Sequence, residues 1–120
     1  MITEQKKILD APAARPSVAA MVENIIGCKW SLRVLELVRE GINRPGAMEH
    51  AIEGLTAKVL NERLKKLSGY GILDKTIYPE SPPHVEYRLT AFGLRFSSLL
   101  DEIEQLEKSL GEAGAACRDD

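Results

Sequence analysis

The segment from Gly54 to Leu67 has the most regular pattern in the chain. At roughly 100° per residue, its apolar and polar side chains fall on opposite sides of a helix. The apolar side holds Val59, Leu60, Leu64 and Leu67, and the polar side holds Lys58, Asn61, Glu62 and Lys65. Thr56 stands where an N-cap is expected, and Gly54 suits the turn before it. The pattern predicts a capped helix that packs on one side, although many such helices only cover a core.

Two segments with the alternation typical of β-strands follow this helix. They run over residues 72–78 and 84–89, and a proline-rich loop joins them. In the second segment apolar and polar side chains alternate, so one face is expected to be buried and the other exposed. The apolar set is Val85, Tyr87 and Leu89, and the polar set is His84, Glu86 and Arg88. A helix followed by a β-hairpin is the order of a winged helix-turn-helix, in which the hairpin is the wing.

The rest of the chain predicts further helices. Apolar periodicity and end signals place them at residues 17–27, 30–40 and 45–52, and a last one after the N-cap Thr90 as far as residue 110. The predicted fold class is mainly α with a small β-hairpin (α+β), and 120 residues suffice for one compact domain. We expect this domain at residues 16–110, a mobile arm at 1–15 and an acidic flexible tail at 111–120.

The last helix carries an apolar stripe with heptad spacing. Its members are Phe92, Phe96, Leu99, Ile103, Leu106 and Leu110. The near half, from Phe92 to Leu99, is expected to complete the core of one chain. Beyond Leu100 a small domain has little left to bury, so the stripe predicts a twofold dimer through the last and first helices. The dimerisation candidates are Val18, Met21, Val22, Leu99, Ile103, Leu106 and Leu110.

Several motifs, in their order and spacing, resemble the HxlR-type bacterial transcription regulators, a winged-helix group related to the MarR regulators. They are GCKW at 27–30, RL at 63–64, GI at 71–72, YPE at 78–80, PPHVEYRLT at 82–90 and Gly93. The resemblance covers about residues 17–107. It implies a homodimer that binds a palindromic operator in double-stranded DNA, with the 56–69 helix in the major groove. Several members respond to aldehydes, quinones or oxidants, so a small-molecule effector stays open as a partner. No cofactor or metal is implied.

Within this interpretation, polar residues of the helix and wing become candidates for DNA contact. Lysine can donate to guanine, and asparagine can pair with adenine. The candidates are Arg44, Thr56, Lys58, Asn61, Lys65, Lys75, His84 and Arg88. Glu62 either accepts from a cytosine or repels phosphates, and both alternatives stay open. Arg63 lies inside the apolar arc, so we expect its stem to pack and its guanidinium to find a carboxylate or carbonyl.

The net charge of −2 is the main objection to DNA as partner. The acid is concentrated at one end, because residues 1–100 hold 14 Lys and Arg against 11 Asp and Glu, whereas residues 101–120 hold 2 against 7. A local positive face can therefore still form. No apolar run long enough for a membrane span and no secretory leader is recognisable, so we expect a cytoplasmic, nucleoid-associated protein.

The two cysteines do not have the spacing of a metal site or a disulfide framework. Ser17 stands where redox-responsive members of the resembled family carry a cysteine, so their usual sensor is absent. Cys28 is the remaining redox candidate, because neighbouring Lys29 could lower its pKa, but inert packing is the alternative. Cys117 falls in the predicted tail. We expect DNA binding to be nearly unaffected by mild oxidants.

Two other classes of function compete with a transcription regulator. An enzyme is disfavoured because no nucleophile triad, paired-carboxylate motif, glycine-rich phosphate loop or metal-ligand spacing is present. The alternative is a dimeric winged-helix protein-interaction module with little DNA affinity, which the acidic balance favours.

Overall fold

A computed structural model describes residues 15–113 of the chain. Most of the arm at 1–15 and residues 114–120 of the tail therefore lie outside the described residues. The elements are α1 (Val18–Ile26), α2 (Lys29–Arg39), α3 (Pro45–Ala51), α4 (Ala57–Gly69), β1 (Leu73–Tyr78), β2 (His84–Leu89) and α5 (Ala91–Ala113). Their order confirms the predicted winged helix-turn-helix. Helix α5 extends past the predicted domain boundary at residue 110.

The core lies where α4 packs on α2 and on the base of the hairpin. The predicted apolar stripe of α4 is confirmed, because Leu60, Leu64 and Leu67 are fully buried and Val59 is half-buried at its edge. Val34 and Leu35 of α2, both also buried, belong to the same cluster. Burial of this stripe sets the rotation of α4 about its axis, so the opposite side of the helix is the one turned outward.

Side-chain caps define the starts of three helices. The Thr56 hydroxyl accepts from the amide of Val59 at 3.2 Å, and Ser17 caps α1 by accepting from Ala20 at 3.1 Å. Gly54 has a φ of +91°, a left-handed conformation that favours glycine in the turn before α4. Thr90 caps α5, as the sequence predicts, by accepting from the amide of Gly93 at 2.8 Å. These contacts satisfy amides that the first turn leaves without partners.

The hairpin is an antiparallel pair in which Leu73 faces Leu89 and Tyr78 faces His84. The Tyr87 amide donates to the carbonyl of Asn43 at 2.9 Å, which joins β2 to the segment before α3. At the other end a Cβ on Gly93 would collide with the backbone of Ile72, so α5 approaches the hairpin base closely. The wing is thus attached to the helical core on both sides.

The stripe on α5 is only partly a core element, which corrects one expectation. Phe96 is buried, but Leu99 is 39% exposed and Leu100 takes the buried position instead. Phe92 and Phe96 keep their expected places in or against the core, and Ile103 of the same stripe packs against it. The side of α5 that faces the core is therefore turned from the predicted one by only part of the roughly 100° between neighbouring residues. Leu106 and Leu110 are 67% and 57% exposed.

In the described part of the chain, no helix is both long and apolar enough to cross a membrane.

Candidate nucleic-acid interface

One side of α4 carries three polar side chains away from the core. Lys58, Asn61 and Lys65 are exposed, and their spacing by three and four residues places them on one side of the helix. The side-chain hydrogen bonds and ion pairs described around α4 belong to Thr56, Glu62 and Arg63 instead. The three side chains therefore combine exposure with donors that a base edge or a phosphate could use.

Thr56 contributes to this side mainly as the N-cap. Its oxygen accepts from Val59, and its hydroxyl hydrogen remains available to a phosphate. The first amides of α4 also point outward from the helix start, where backbone donors and the helix dipole favour an anion. The structure thus brings Thr56 and Lys58 together at one helix terminus.

Arg63 lies on the flank of α4 rather than on this outward side. Its side chain is 23% exposed, and its Nη2 lies 3.7 Å from the Glu62 carboxylate. Its Nη1 donates to the Sγ of Cys28 at 3.5 Å. The partner expected from the sequence, a carboxylate, is present, whereas the contact with Cys28 depends on how α2 packs beside α4.

In the wing, one carboxylate holds three basic side chains. Glu86, whose side chain is 13% exposed, accepts from Arg88 at 2.9 Å and lies 3.5 Å from both Arg44 and His84. His84 also contacts Glu80 at 3.1 Å. The hydrogen bond from Arg88 is the main reason why the pKa of Glu86 is lowered, and Arg44 and His84 add to it although partial burial opposes it. The polar face of β2 is therefore less exposed than the alternation predicts.

Aromatic contacts order the same face of the wing. The rings of Tyr78 and His84 stack with their centroids 4.6 Å apart, and Arg88 donates to the Tyr78 hydroxyl at 3.4 Å. The sequence analysis missed both Tyr78 and Glu86 as parts of the site. The signal for Glu86 was its place between His84 and Arg88 at strand spacing, which puts all three on one face.

Lys75 does not join this cluster. It faces Tyr87 in the hairpin register, whereas Arg88 faces Asp74 and His84 faces Tyr78. Because directly opposed residues project to the same face of a sheet, Lys75 lies on the face opposite to His84 and Arg88. Of the wing candidates, the structure brings Arg44, His84 and Arg88 together and leaves Lys75 apart.

Cys28 is half-buried at the N-terminus of α2. Burial raises the pKa of its thiol, but hydrogen bonds from Ser31, the Trp30 amide and Arg63 together outweigh burial and lower the pKa to about 7. The expectation that Lys29 lowers the pKa of Cys28 is wrong, since the Lys29 ammonium lies over the Trp30 ring at 5.3 Å and does not contribute to the shift. The Cys28 thiol is thus partly ionised near neutral pH.

The dimerisation candidates divide by exposure. Val18, Leu99, Leu106 and Leu110 are exposed, and Val22 and Ile103 are half-buried against the core. Met21 is only 3% exposed, so it belongs to the core of one chain and offers no surface to a partner. This placement corrects the expectation for Met21, because its side of α1 is covered by the chain's own core.

The elements α3 and α4, followed by the β1–β2 hairpin, define a winged helix-turn-helix protein. A family model described as HxlR-like helix-turn-helix matches residues 25–114, and the chain belongs to that family. The match confirms the resemblance drawn from the motifs at 27–30 and 82–90. Within residues 15–113, no group of three or more His, Cys, Asp or Glu side chains is arranged to hold a metal ion.

The relatives are helix-turn-helix transcriptional regulators rather than enzymes. The chain is 38% identical over 85 residues to the uncharacterised regulator sll1512 of Synechocystis, covering 71% of this chain and 63% of that protein. It is 32% identical over 85 residues to YtcD of Bacillus subtilis, covering 71% and 67%. The aligned segment spans about two thirds of these relatives' lengths. A MarR-family regulator structure from Enterococcus faecalis V583 has a TM-score of 0.72 at 26% identity, covering 81% of this chain and 88% of that one.

Proposed function

We propose that this protein is a sequence-specific transcription regulator that binds a palindromic operator in double-stranded DNA as a homodimer. In this proposal α4 enters the major groove and the β1–β2 hairpin acts as the wing on the DNA backbone. The observation that carries it is the outward side of α4, where Lys58, Asn61 and Lys65 are exposed beyond a fully buried stripe. Such a protein would act in the cytoplasm, at the nucleoid.

Different residues would have different tasks in the complex. Lys58 and Asn61, near the start of α4, are suited to base edges, because the N-terminal part of a recognition helix reads the groove. Lys65, one turn further on, is suited to a phosphate, as is the N-terminus of α4 beside Thr56. Phosphate contacts set the register of the protein on DNA, and base contacts select the sequence.

The wing would contribute through the cations around Glu86. An arginine that shares one carboxylate keeps further N–H donors for a second acceptor. Arg44 and Arg88 have side chains 55% and 60% exposed, so both can still reach a phosphate while Glu86 orients them. Lys75, on the other face of the hairpin, would contact DNA only at the edge of the wing.

Exposed leucines support the dimer. Leu99, Leu106 and Leu110 lie on one side of α5, and Val18 of α1 is 44% exposed. An apolar stripe of this kind is stable in water when another chain covers it. A twofold arrangement would place two copies of α4 on half-sites about one helical turn of DNA apart, or a multiple of it.

The test begins with selection of bound sequences from a random duplex library, because it requires no known operator. We expect enrichment of an inverted repeat. On that repeat, Lys58→Ala and Asn61→Ala should each weaken binding by about 1 to 3 kcal/mol. Lys108→Ala is the matched control, since it removes a positive charge from an exposed site on α5. Enrichment of no sequence, or equal affinity of all variants, would contradict the proposal.

The second candidate is a dimeric interaction module with little DNA affinity. The observation that favours it is that Glu86 already pairs with Arg44, His84 and Arg88, so the wing offers less free positive charge than its composition suggests. A module would bind duplex DNA weakly at every salt concentration. A regulator should lose affinity steeply as salt rises, because bound phosphates release counterions.

A further inference from the structure

A cavity of about 250 Å³ opens between the end of α1, α2 and the middle of α5. Its floor is apolar, with Leu35 and Leu100 buried and Leu32 and Ile103 half-buried. Small-molecule sites are typically concave and mostly apolar, with a few polar groups at defined places. None of the candidate DNA-contact residues described above lines this cavity.

The rim of the cavity carries unbalanced negative charge. Arg39 is the cation of the rim, and Asp101 engages it through bonds of 2.7 and 3.0 Å. Glu36 pairs with Arg33 at 2.7 Å. The remaining rim carboxylates, Glu104 and Glu107, are exposed on α5 and belong to none of the ion pairs described within residues 15–113. Glu104 interacts with Arg39 only at longer range, where its charge helps to raise the pKa of that residue.

We propose that this cavity binds a small amphipathic organic cation, a molecule with an apolar ring system and one ammonium or amidinium group. The ring system would rest on Leu32, Leu35 and Leu100, and the cation would lie between Glu104 and Glu107. An ion pair beside apolar side chains is stronger than one in open water, because the local dielectric constant is lower. The cavity is smaller than the roughly 300 Å³ at which typical drug-sized sites begin, which favours a ligand with one or two rings.

A second copy of this chain is the competing occupant, and the charges of α5 disfavour it. The exposed leucines Leu99, Leu106 and Leu110 lie within an arc of about 40°, whereas Glu104 and Glu107 lie on average about 100° from them around the helix. A partner covering the leucines would therefore leave the acidic rim at the side. An α5 helix inserted into the cavity would place carboxylates against carboxylates, which is costly.

The experiment uses three probes of similar shape and different charge. They are 1-naphthylmethylammonium, neutral 1-naphthylmethanol and anionic 1-naphthoate, each titrated into the full chain without DNA. Binding is followed by NMR of the methyl groups of Leu32, Leu35, Leu100 and Ile103. We expect saturable shifts at these methyl groups and the order of affinity cation, neutral, anion. Higher salt should weaken the cation more than the neutral probe.

The matched variants separate charge from shape. Glu104→Gln with Glu107→Gln should lower the affinity for the cation about fivefold, since ion pairs of two exposed and screened carboxylates contribute modestly to binding. The neutral probe should bind this double variant unchanged. Glu102→Gln removes one carboxylate of the same helix that does not line the cavity, and should leave the cation's affinity unchanged.

Three results would overturn the inference. They are equal affinity for the cation and the neutral probe, a preference for the cation that survives in the double variant, and absence of saturable shifts. Sedimentation of the same samples tests the competing occupant, because dissociation of a dimer on probe binding would show that a second copy fills the cavity. Since no DNA is present, failure here leaves the proposed DNA binding untouched.

Discussion

Arg39 of α2 and Asp101 of α5 form a bidentate ion pair, in which Nη1 donates to Oδ1 at 3.0 Å and Nη2 donates to Oδ2 at 2.7 Å. The two residues are separated by 62 positions in sequence, so the contact links α2, which packs beside α4, to the helix with the exposed leucines. The hydrogen bond from Arg39 holds the pKa of Asp101 below its usual value, although slight burial opposes it. A guanidinium that bonds both oxygens of one carboxylate fixes the relative orientation of the two side chains and also stabilises the contact.

The first prediction concerns stability and pH. Asp101→Asn should lower the free energy of unfolding at pH 7 by up to about 1 kcal/mol, because the pair is partly exposed and screened. Since folding lowers the pKa of Asp101, the contribution is complete above the unfolded value of about 3.9 and is lost as the pH falls through the folded value. Urea unfolding at several pH values measures it.

The control for this prediction is Glu102→Gln, the adjacent exposed carboxylate. It should show little difference from the parent at any pH. A deficit of Asp101→Asn that stayed constant from pH 7 to pH 3 would mean that the ion pair is not its cause.

The second prediction concerns the oligomer. Leu106→Glu with Leu110→Glu should give a monomer, because both side chains are more than half exposed in one chain and charge would oppose their burial by a partner. Both positions lie outside the core, so the circular dichroism and thermal unfolding of the monomer should show an intact fold. Sedimentation equilibrium measures the change, and a dimer of unchanged strength would place the interface elsewhere.

Sequence periodicity was sufficient for α4 and insufficient for α5. In α4 the leucines Leu60, Leu64 and Leu67 lie within one arc with Val59 at its edge, so a single rotation buries the stripe. In α5 both Leu99 and Leu100 are apolar, and either can face the core at similar cost. The helix start decides in favour of Leu100, because Thr90 and Gly93 fix α5 against the hairpin base and thereby set its rotation.

The third prediction concerns the wing. Glu86→Gln should release Arg44 and Arg88, so affinity for duplex DNA should rise at low salt and the slope of log K against log salt should steepen by up to about 0.9 for each new phosphate contact. Fluorescence anisotropy at several salt concentrations measures both quantities. Glu80→Gln is the control of equal charge, because the ion pair described for the Glu80 carboxylate is with His84 and not with an arginine.

The outcome separates two roles of Glu86. If both variants changed the affinity for DNA equally, the loss of one negative charge would explain the effect without any release of the arginines. A loss of affinity would mean that Glu86 is needed to orient the arginines. The sequence could place Glu86 beside His84 and Arg88 by strand spacing, but it could not place Arg44 there, since that contact depends on the bond from Tyr87 to Asn43.

The last prediction concerns the reactivity of Cys28. It is measured in a Cys117→Ser background, so that Cys28 is the thiol that is alkylated. Its rate of alkylation by iodoacetamide should rise with pH around a midpoint of about 7, because the thiolate is the reactive form. Ser31→Ala removes the side-chain hydrogen bond that lowers this pKa, so the midpoint should move towards the ordinary value of 9.0. Arg63→Met should move it less, since the Arg63 hydrogen bond is the smallest of the causes.

Ser31 is buried and lies on α2, so far-ultraviolet circular dichroism must first show that its variant folds like the parent. A parent midpoint near 9, or one that Ser31→Ala leaves in place, would show that the N-terminus of α2 does not activate this thiol, and inert packing would then be the right description of Cys28.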